Sequence, residues 1–385
     1  MSFTALDLST SSLLLPATAL VLITLAVLAP KYGLVERFLG TNTKSLEPVK
    51  APAKEEKPQR LPDPEPLLDF DLETATTRDH IYVNKTINNW IEIDKNYRRE
   101  VAYKRQVIAE HPENSVLSLP ENDEAAGELL ETVVDFLTKR YPTLFEALPN
   151  CGVYNKILEE RHENLAGLKG VDALMIISKL VQNDFLMAAE REDGHFYFVG
   201  GVVAIPGFYS LAQKIDKSMF NVHVPVPQFN EKLLVSVERT LKRFKPTEPF
   251  ERSSWEIVDD LESYQHGIAS LPEGVKLRED LHPKDYIFRI DHQTFRKLPR
   301  TQGIIFGVHP ILRRLETFAD LPLLPALLAT VHENAPADLM KYKLAPCYQD
   351  RLLPYLKELT QSQIERGLIK GDEEVSNFRD LVQKS

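Results

Sequence analysis

The chain has 385 residues, 43% hydrophobic and 26% charged, a make-up that supports a sizeable globular core and excludes pervasive disorder. With 46 Lys and Arg against 56 Asp and Glu the net charge is −10, so a phosphate backbone is repelled and nucleic acid is not an expected partner. Cys151 and Cys347 are the only cysteines, too few for a disulfide framework, a four-cysteine zinc site or an iron–sulfur cluster, so any cluster chemistry would come from a partner protein.

Residues 1–12 read as a short tail. Leu13 to Ala29 is apolar apart from Pro16, Thr18 and Thr24, close to the ~17–25 residues a membrane span takes, so a single transmembrane anchor is expected over residues 13–30, with a cleaved signal or a core helix at the start of the fold as the other readings. The only charge before it is Asp7, whereas Lys31, Arg37, Lys44 and Lys50 follow it; the positive-inside rule then puts the body of the protein in the cytosol. A glycan on the Asn84 sequon would reverse that orientation. Residues 31–66 form a charged, proline-rich linker, with Pro48, Pro52, Pro58, Pro62, Pro64 and Pro66 holding it extended. A globular domain is expected over residues 67–385.

Within it, Asn88 to Glu110 runs from an aromatic-bearing turn into a charged helix, and Asp123 to Tyr141 has apolar residues at helical spacing. Val171 to Val181 suits a helix or a strand, and Phe185 to Ala189 follows it. His195 to Ile205, aromatic and β-branched around Gly200 and Gly201, predicts a strand pair or a bulged strand. Tyr286 to Ile290 and Gly303 to Val308 predict two strands joined by a long basic connection, His292 to Arg300. From Ile311 onward the pattern is helical, interrupted by Pro322, Pro325, Pro336, Pro346 and Pro354. Strands in the middle and helices at both ends predict an α+β body with one antiparallel sheet and flanking helices.

The chain carries no dinucleotide-binding glycine motif, P-loop, H-E-x-x-H or G-x-S-x-G. Two other segments bear chemistry. In Asn221 to Phe229 (NVHVPVPQF), Pro225 and Pro227 fix the backbone beside His223; a rigid imidazole in apolar surroundings suits an axial metal or haem ligand. The more ordinary reading is a histidine hydrogen-bonded at a helix end. In Arg289 to Thr301 (RIDHQTFRKLPRT), Arg289, His292, Arg296, Lys297 and Arg300 gather in an acidic protein, which suits either a bound anion such as a haem propionate or the protein's own carboxylates.

The strings LVQNDFLM (Leu180 to Met187), VVAIPGFYSLAQKI (Val202 to Ile215), NVHVPVPQF, SSW (Ser253 to Trp255) and FRIDHQTFRKLPRTQGIIFGVHP (Phe288 to Pro310) resemble successive blocks of the haem-dependent oxidative N-demethylase-like proteins, in particular the fungal HRQ family. NNWIEIDKNYRREVAYKRQ and MKYK (Met340 to Lys343) resemble its flanking blocks, so the likeness covers roughly residues 85–360. The most specific block is H-Q-T-F-R-K-L-P-R-T. The resemblance implies a PAS-like antiparallel α+β fold that holds haem b through a histidine, and a relative that oxidatively demethylates a secondary amine, releasing formaldehyde. It also implies a separate flavin and iron–sulfur reductase. His223 matches the family's H-x-P-V-P histidine and is the expected iron ligand, with His292 and His309 as rivals. Arg289, Gln293, Arg296 and Arg300 match the second block and are expected to hold propionates or order the pocket. Gln228 departs from the pattern, standing where a glycine commonly follows P-V-P.

The expected protein is therefore a haem-dependent oxidoreductase anchored by one span in a membrane, by default the endoplasmic reticulum, acting on a small amine. Two other expectations stand beside it: a PAS-like sensor or scaffold that binds haem or a small ligand without turnover, and a fold that has lost its cofactor.

Overall fold

The computed structural model describes residues 61–75, 87–207, 210–259 and 280–373. The expected anchor at 13–30, most of the linker and Asn84 lie outside them. Among the described residues no helix is long and apolar enough to cross a membrane.

The chain divides into two compact units. The first holds Ala53–Leu281 and Tyr286–Arg313 and contains the main sheet. Its helices are α1 (Tyr97–Glu110), α2 (Asp123–Arg140), α3 (Gly170–Leu180) and α4 (Leu234–Arg243). Its strands are β1 (Val116–Ser118), β2 (Phe145–Leu148), β3 (Gly152–Asn155), β4 (Glu160–His162), β5 (Asp184–Glu190), β6 (Phe196–Val202), β7 (Phe250–Val258), β8 (Ile287–Lys297) and β9 (Ile304–Arg314). Six of these form one sheet in the order β1-β6-β5-β9-β8-β7, and β2, β3 and β4 form a small antiparallel sheet of their own.

The α+β expectation, with an antiparallel sheet and flanking helices, holds. α2 begins with Asp123 and Glu124 and ends with Lys139 and Arg140, charges that complement the helix dipole. Val171 to Val181 resolves to helix, and the predicted 195–205 segment becomes a single strand, β6. One expectation is corrected. The basic stretch after Tyr286 to Ile290 is not a long connection: β8 continues to Lys297, and only 298–303 turn the chain, closed by Leu298 N–H donating to Gly303 O at 2.9 Å. His292, Gln293 and Lys297 of that stretch remain in the sheet because they meet partners on neighbouring elements.

Both faces of this sheet are covered. On one, Trp90, Phe185, Met187 and Ile305 pack with the apolar stripes of α1, α2 and α3 in a continuous core. The other carries Phe250, Phe295 and Phe306, whose rings stack at 4.6 and 4.8 Å, and α4, whose Lys242 carbonyl accepts from Lys297 Nζ at 3.0 Å. The β7–β8 register fixes which residues share a face: Gln293 lies opposite Arg252 and Arg289 opposite Glu256, while His292 lies opposite Ser253.

A buried ion pair fastens α1 to the sheet. Lys104 Nζ lies 3.0 Å from Asp184 Oδ1, and Asp184 Oδ2 accepts from the backbone N–H groups of Ala204 and Ile205 at 3.0 and 2.7 Å. Glu128 of α2 likewise staples the β8–β9 turn, accepting from Arg300 N–H, Thr301 N–H and Thr301 Oγ1 at 2.7–2.8 Å.

The described residues of the second unit, 282–285 and 314–373, include α5 (Leu324–Asn334) and α6 (Gln349–Glu365), which pack together. Pro325 sits in the first turn of α5, where its missing N–H costs nothing, but Pro354 lies inside α6 without ending it. Buried Gln363 ties α6 to the preceding loop, donating to Phe318 and Leu321 carbonyls at 2.9 and 2.8 Å.

Replacing Lys104 by Met leaves the Asp184 carboxylate buried without its cation, and should cost about 3–5 kcal/mol in urea unfolding. A loss below about 1 kcal/mol would show that backbone donors alone satisfy Asp184.

Candidate functional site

The chain leaves β6 onto the α4 face and reaches a single helical turn, Met219–Val222, capped by Ser218 Oγ accepting from Asn221 N–H at 3.2 Å. His223 is the next residue. Its Nδ1 donates to the Met219 carbonyl at 2.8 Å, and among the described residues its Nε2 has no hydrogen-bond partner. The ring stacks on Phe229, centroids 3.9 Å apart and planes 11° from parallel. That stack requires a sharp reversal between the two residues. Gln228 supplies it in the left-handed conformation, φ 60° and ψ 4°, the geometry a glycine adopts without strain. The departure noted in the sequence therefore falls where glycine is the cheaper residue.

His223 is half-buried, and its pKa is pushed down to about 4, first by desolvation and then by the positive charges of Arg252 and Lys214, against the opposing effect of the Met219 hydrogen bond. The imidazole is thus neutral at neutral pH, its tautomer fixed by Nδ1–H and its Nε2 lone pair available. Exposed Phe220 and Val224 flank it.

Arg252, on β7, lies near enough for its charge to bear on this histidine. Its Nε donates to Gln293 Oε1 at 2.6 Å, and Gln293 Nε2 donates to Ser254 Oγ at 3.1 Å, so the amide orientation is set at both ends. Farther along the same face, Arg289 is fully buried between Glu256 (3.1 Å) and Asp291 (2.8 Å) and donates to the Ile205 carbonyl at 2.8 Å. Gly207, at φ +66°, passes so close that a Cβ would stand 2.6 Å from Glu256 Oε1.

His223, Gln293 and Arg289 thus share the α4 side of the sheet. Arg296 is on the opposite side, its guanidinium 4.4 Å over the Trp90 ring. Arg300 is in the β8–β9 turn, paired with Glu131 of α2 at 2.5 Å. The two rival histidines also face α1–α3: His292 Nε2 donates to Glu251 at 2.9 Å, and buried His309 lies close enough to Glu100 to oppose the rise that burial imposes on that carboxyl. Ser254 and Lys214 lie in the SSW and VVAIPGFYSLAQKI blocks but carry no role in the sequence, and Arg252 and Glu256 are marked there only by the polar alternation around Trp255.

The family model for the haem-dependent oxidative N-demethylase, alpha subunit-like proteins matches residues 82–353. The chain belongs to that family. Its name indicates haem dependence, and the residues around His223 fit such a group: one imidazole nitrogen is anchored, the other has no partner among the described residues, and apolar side chains flank it. Among the described residues no group of three or more His, Cys, Asp or Glu is arranged to hold a bare metal ion.

Two measurements test the local geometry. Gln228→Gly should raise stability by up to ~1 kcal/mol, the left-handed penalty less the entropy glycine brings to the unfolded chain, whereas Gln228→Val should lower it. Because the unfolded imidazole titrates near 6.5 and the folded one at about 4, the unfolded chain binds the extra proton between those values. The stability His223 contributes is therefore complete above about pH 6.5 and drains as pH falls toward 4. His223→Gln should flatten that part of the urea midpoint against pH.

Proposed function

We propose that this chain is a membrane-anchored haem oxidoreductase that oxidatively N-dealkylates a small amine, with His223 Nε2 as the iron ligand. The observation that carries the reading is the division of labour on one ring: Nδ1–H fixed to the Met219 carbonyl, Nε2 unpartnered, and the ring neutral at neutral pH. His292 is the weaker candidate, its Nε2 being spent on Glu251.

Strand order supports the PAS-like expectation. With β1 set aside, the remaining five strands run second, first, fifth, fourth, third in their own sequence order, as in a PAS sheet, and His223 lies in the connection between the second and third.

Bound haem would supply oxygen activation: one atom of dioxygen enters the C–H bond beside nitrogen, the other leaves as water with two electrons and two protons, and the carbinolamine then collapses to amine and aldehyde. The remaining work belongs to the chain. His223 is held at a fixed angle by Met219 and Phe229. The Arg252–Gln293–Ser254 row presents a polar wall of set orientation, and Arg289, neutralised by Glu256 and Asp291, shapes that wall. Phe250, Phe295 and Phe306 exclude water from the sheet beneath. With two cysteines and no flavin or nicotinamide motif, the chain needs its electrons from a separate reductase. The apolar run at 13–30 would tether the domain to the cytosolic side of the endoplasmic reticulum.

Full-length protein reconstituted with haem should show a Soret band that is lost or strongly shifted in His223→Ala and partly restored by added imidazole. Formaldehyde release from N-methylamines with a generic electron donor should accompany it and fall at least tenfold in Gln293→Leu. An unchanged spectrum in His223→Ala would overturn the ligand assignment; a normal spectrum without turnover would favour the sensor.

A further inference from the structure

Arg296 has a side chain the chemistry above does not use. It is 5% exposed, on the α1–α3 side of β8, and among the described residues it makes neither an ion pair nor a hydrogen bond; its Nε is buried without an acceptor. The other buried cations of this unit are provided for: Lys104 meets Asp184, Arg289 meets Asp291 and Glu256, and Lys297 and Arg140 meet backbone carbonyls. Burial lowers the Arg296 pKa to about 9, so it stays a cation at neutral pH. The Trp90 ring, 4.4 Å away, covers one face of the guanidinium, and among the described residues Nε has no acceptor.

Two residues beside it, Trp90 under the guanidinium and Thr294 two positions back on the strand, each carry a polar group short of a partner among the described residues. Trp90 Nε1 and Thr294 Oγ1 are buried without a hydrogen bond. Thr294 is one pleat from Arg296 on the same side of β8, and Gly307 leaves room for its hydroxyl, since a Cβ there would stand 2.5 Å from Oγ1. A water could serve the indole or the hydroxyl, but it would not balance the charge. Three donors and a positive charge without a counter-ion among the described residues call for an acceptor that is itself negative, and the planar fork of arginine matches a planar oxyanion.

We propose that Arg296, with Trp90 and Thr294, forms an internal site for a small free oxyanion of carboxylate size, on the side of the sheet away from His223. The site stands independently of the haem reading, because no residue is common to both.

The test uses full-length protein and formate and nitrate as probes, at constant ionic strength. Formate should raise the thermal midpoint saturably in the millimolar range, with or without haem. In Trp255→Phe, which leaves Trp90 as the only tryptophan, nitrate should quench fluorescence saturably and formate should compete. Arg296→Gln should abolish both responses; should that variant not fold, Thr294→Val, which keeps the shape, should weaken formate binding severalfold. The proposal is overturned if wild-type protein responds to neither anion, if quenching is linear and unchanged in Thr294→Val, or if haem loading alone abolishes the formate response. The last result would mean that the carboxylate belongs to the cofactor. Loss of the Soret band in His223→Ala with the formate response intact would leave this site standing.

Discussion

Strand β8 is buried along nearly its whole length, and the two-residue period of a strand sends its side chains alternately to two faces. A run as polar as Arg-Ile-Asp-His-Gln-Thr-Phe-Arg-Lys is costly there unless its side chains find partners on the face they happen to meet, and most of them do. Arg289 finds partners on β7, on the chain leaving β6 and, in Asp291, on its own strand; Gln293 finds Arg252 and Ser254 on β7, and His292 finds Glu251 on the other side. That sorting assigns one face to the His223 site and leaves Arg296 on the other. A one-residue slip in register would exchange the two sets, so the β7–β8 pairing is as much a functional constraint as a structural one.

The two faces are nevertheless joined by one polar path. Lys104 of α1 holds Asp184, Asp184 holds the backbone N–H groups of Ala204 and Ile205, and the Ile205 carbonyl accepts from Arg289. The chain leaving β6 is therefore pinned at the point where it crosses onto the α4 face, before it reaches Gly207 and then His223. Aromatic stacking and a backbone hydrogen bond fix the histidine locally, and this buried path fixes the segment that carries it.

Helices were the most legible part of the sequence, because α1 and α2 carry their apolar residues at a period that nothing else imitates. The C-terminal half of β8 is not legible in the sequence, because its charges look like those of a connection while the groups that accept from or donate to Arg289, Gln293 and His292 on other elements are about 40 to 80 residues away. β7 was missed for the same reason. Of the candidate site, His223 was visible through its flanking prolines and Gln228 through its departure from the family pattern. Arg252 and Glu256 were not, since only the antiparallel register sets them opposite Gln293 and Arg289.

From residue type alone, a histidine at the end of a helical turn and a histidine awaiting a metal are rival explanations. In the structure they are the two nitrogens of one ring. The bond from Nδ1 to Met219 is the ordinary helix-end contact, and it is also what removes the proton from Nε2 and fixes the direction in which that lone pair points. Burial and the nearby charges of Arg252 and Lys214 then keep the ring neutral well below the pH at which a free imidazole would protonate. An interaction that looks purely structural is thus also the one a ligating imidazole requires, so the two roles are compatible in one ring.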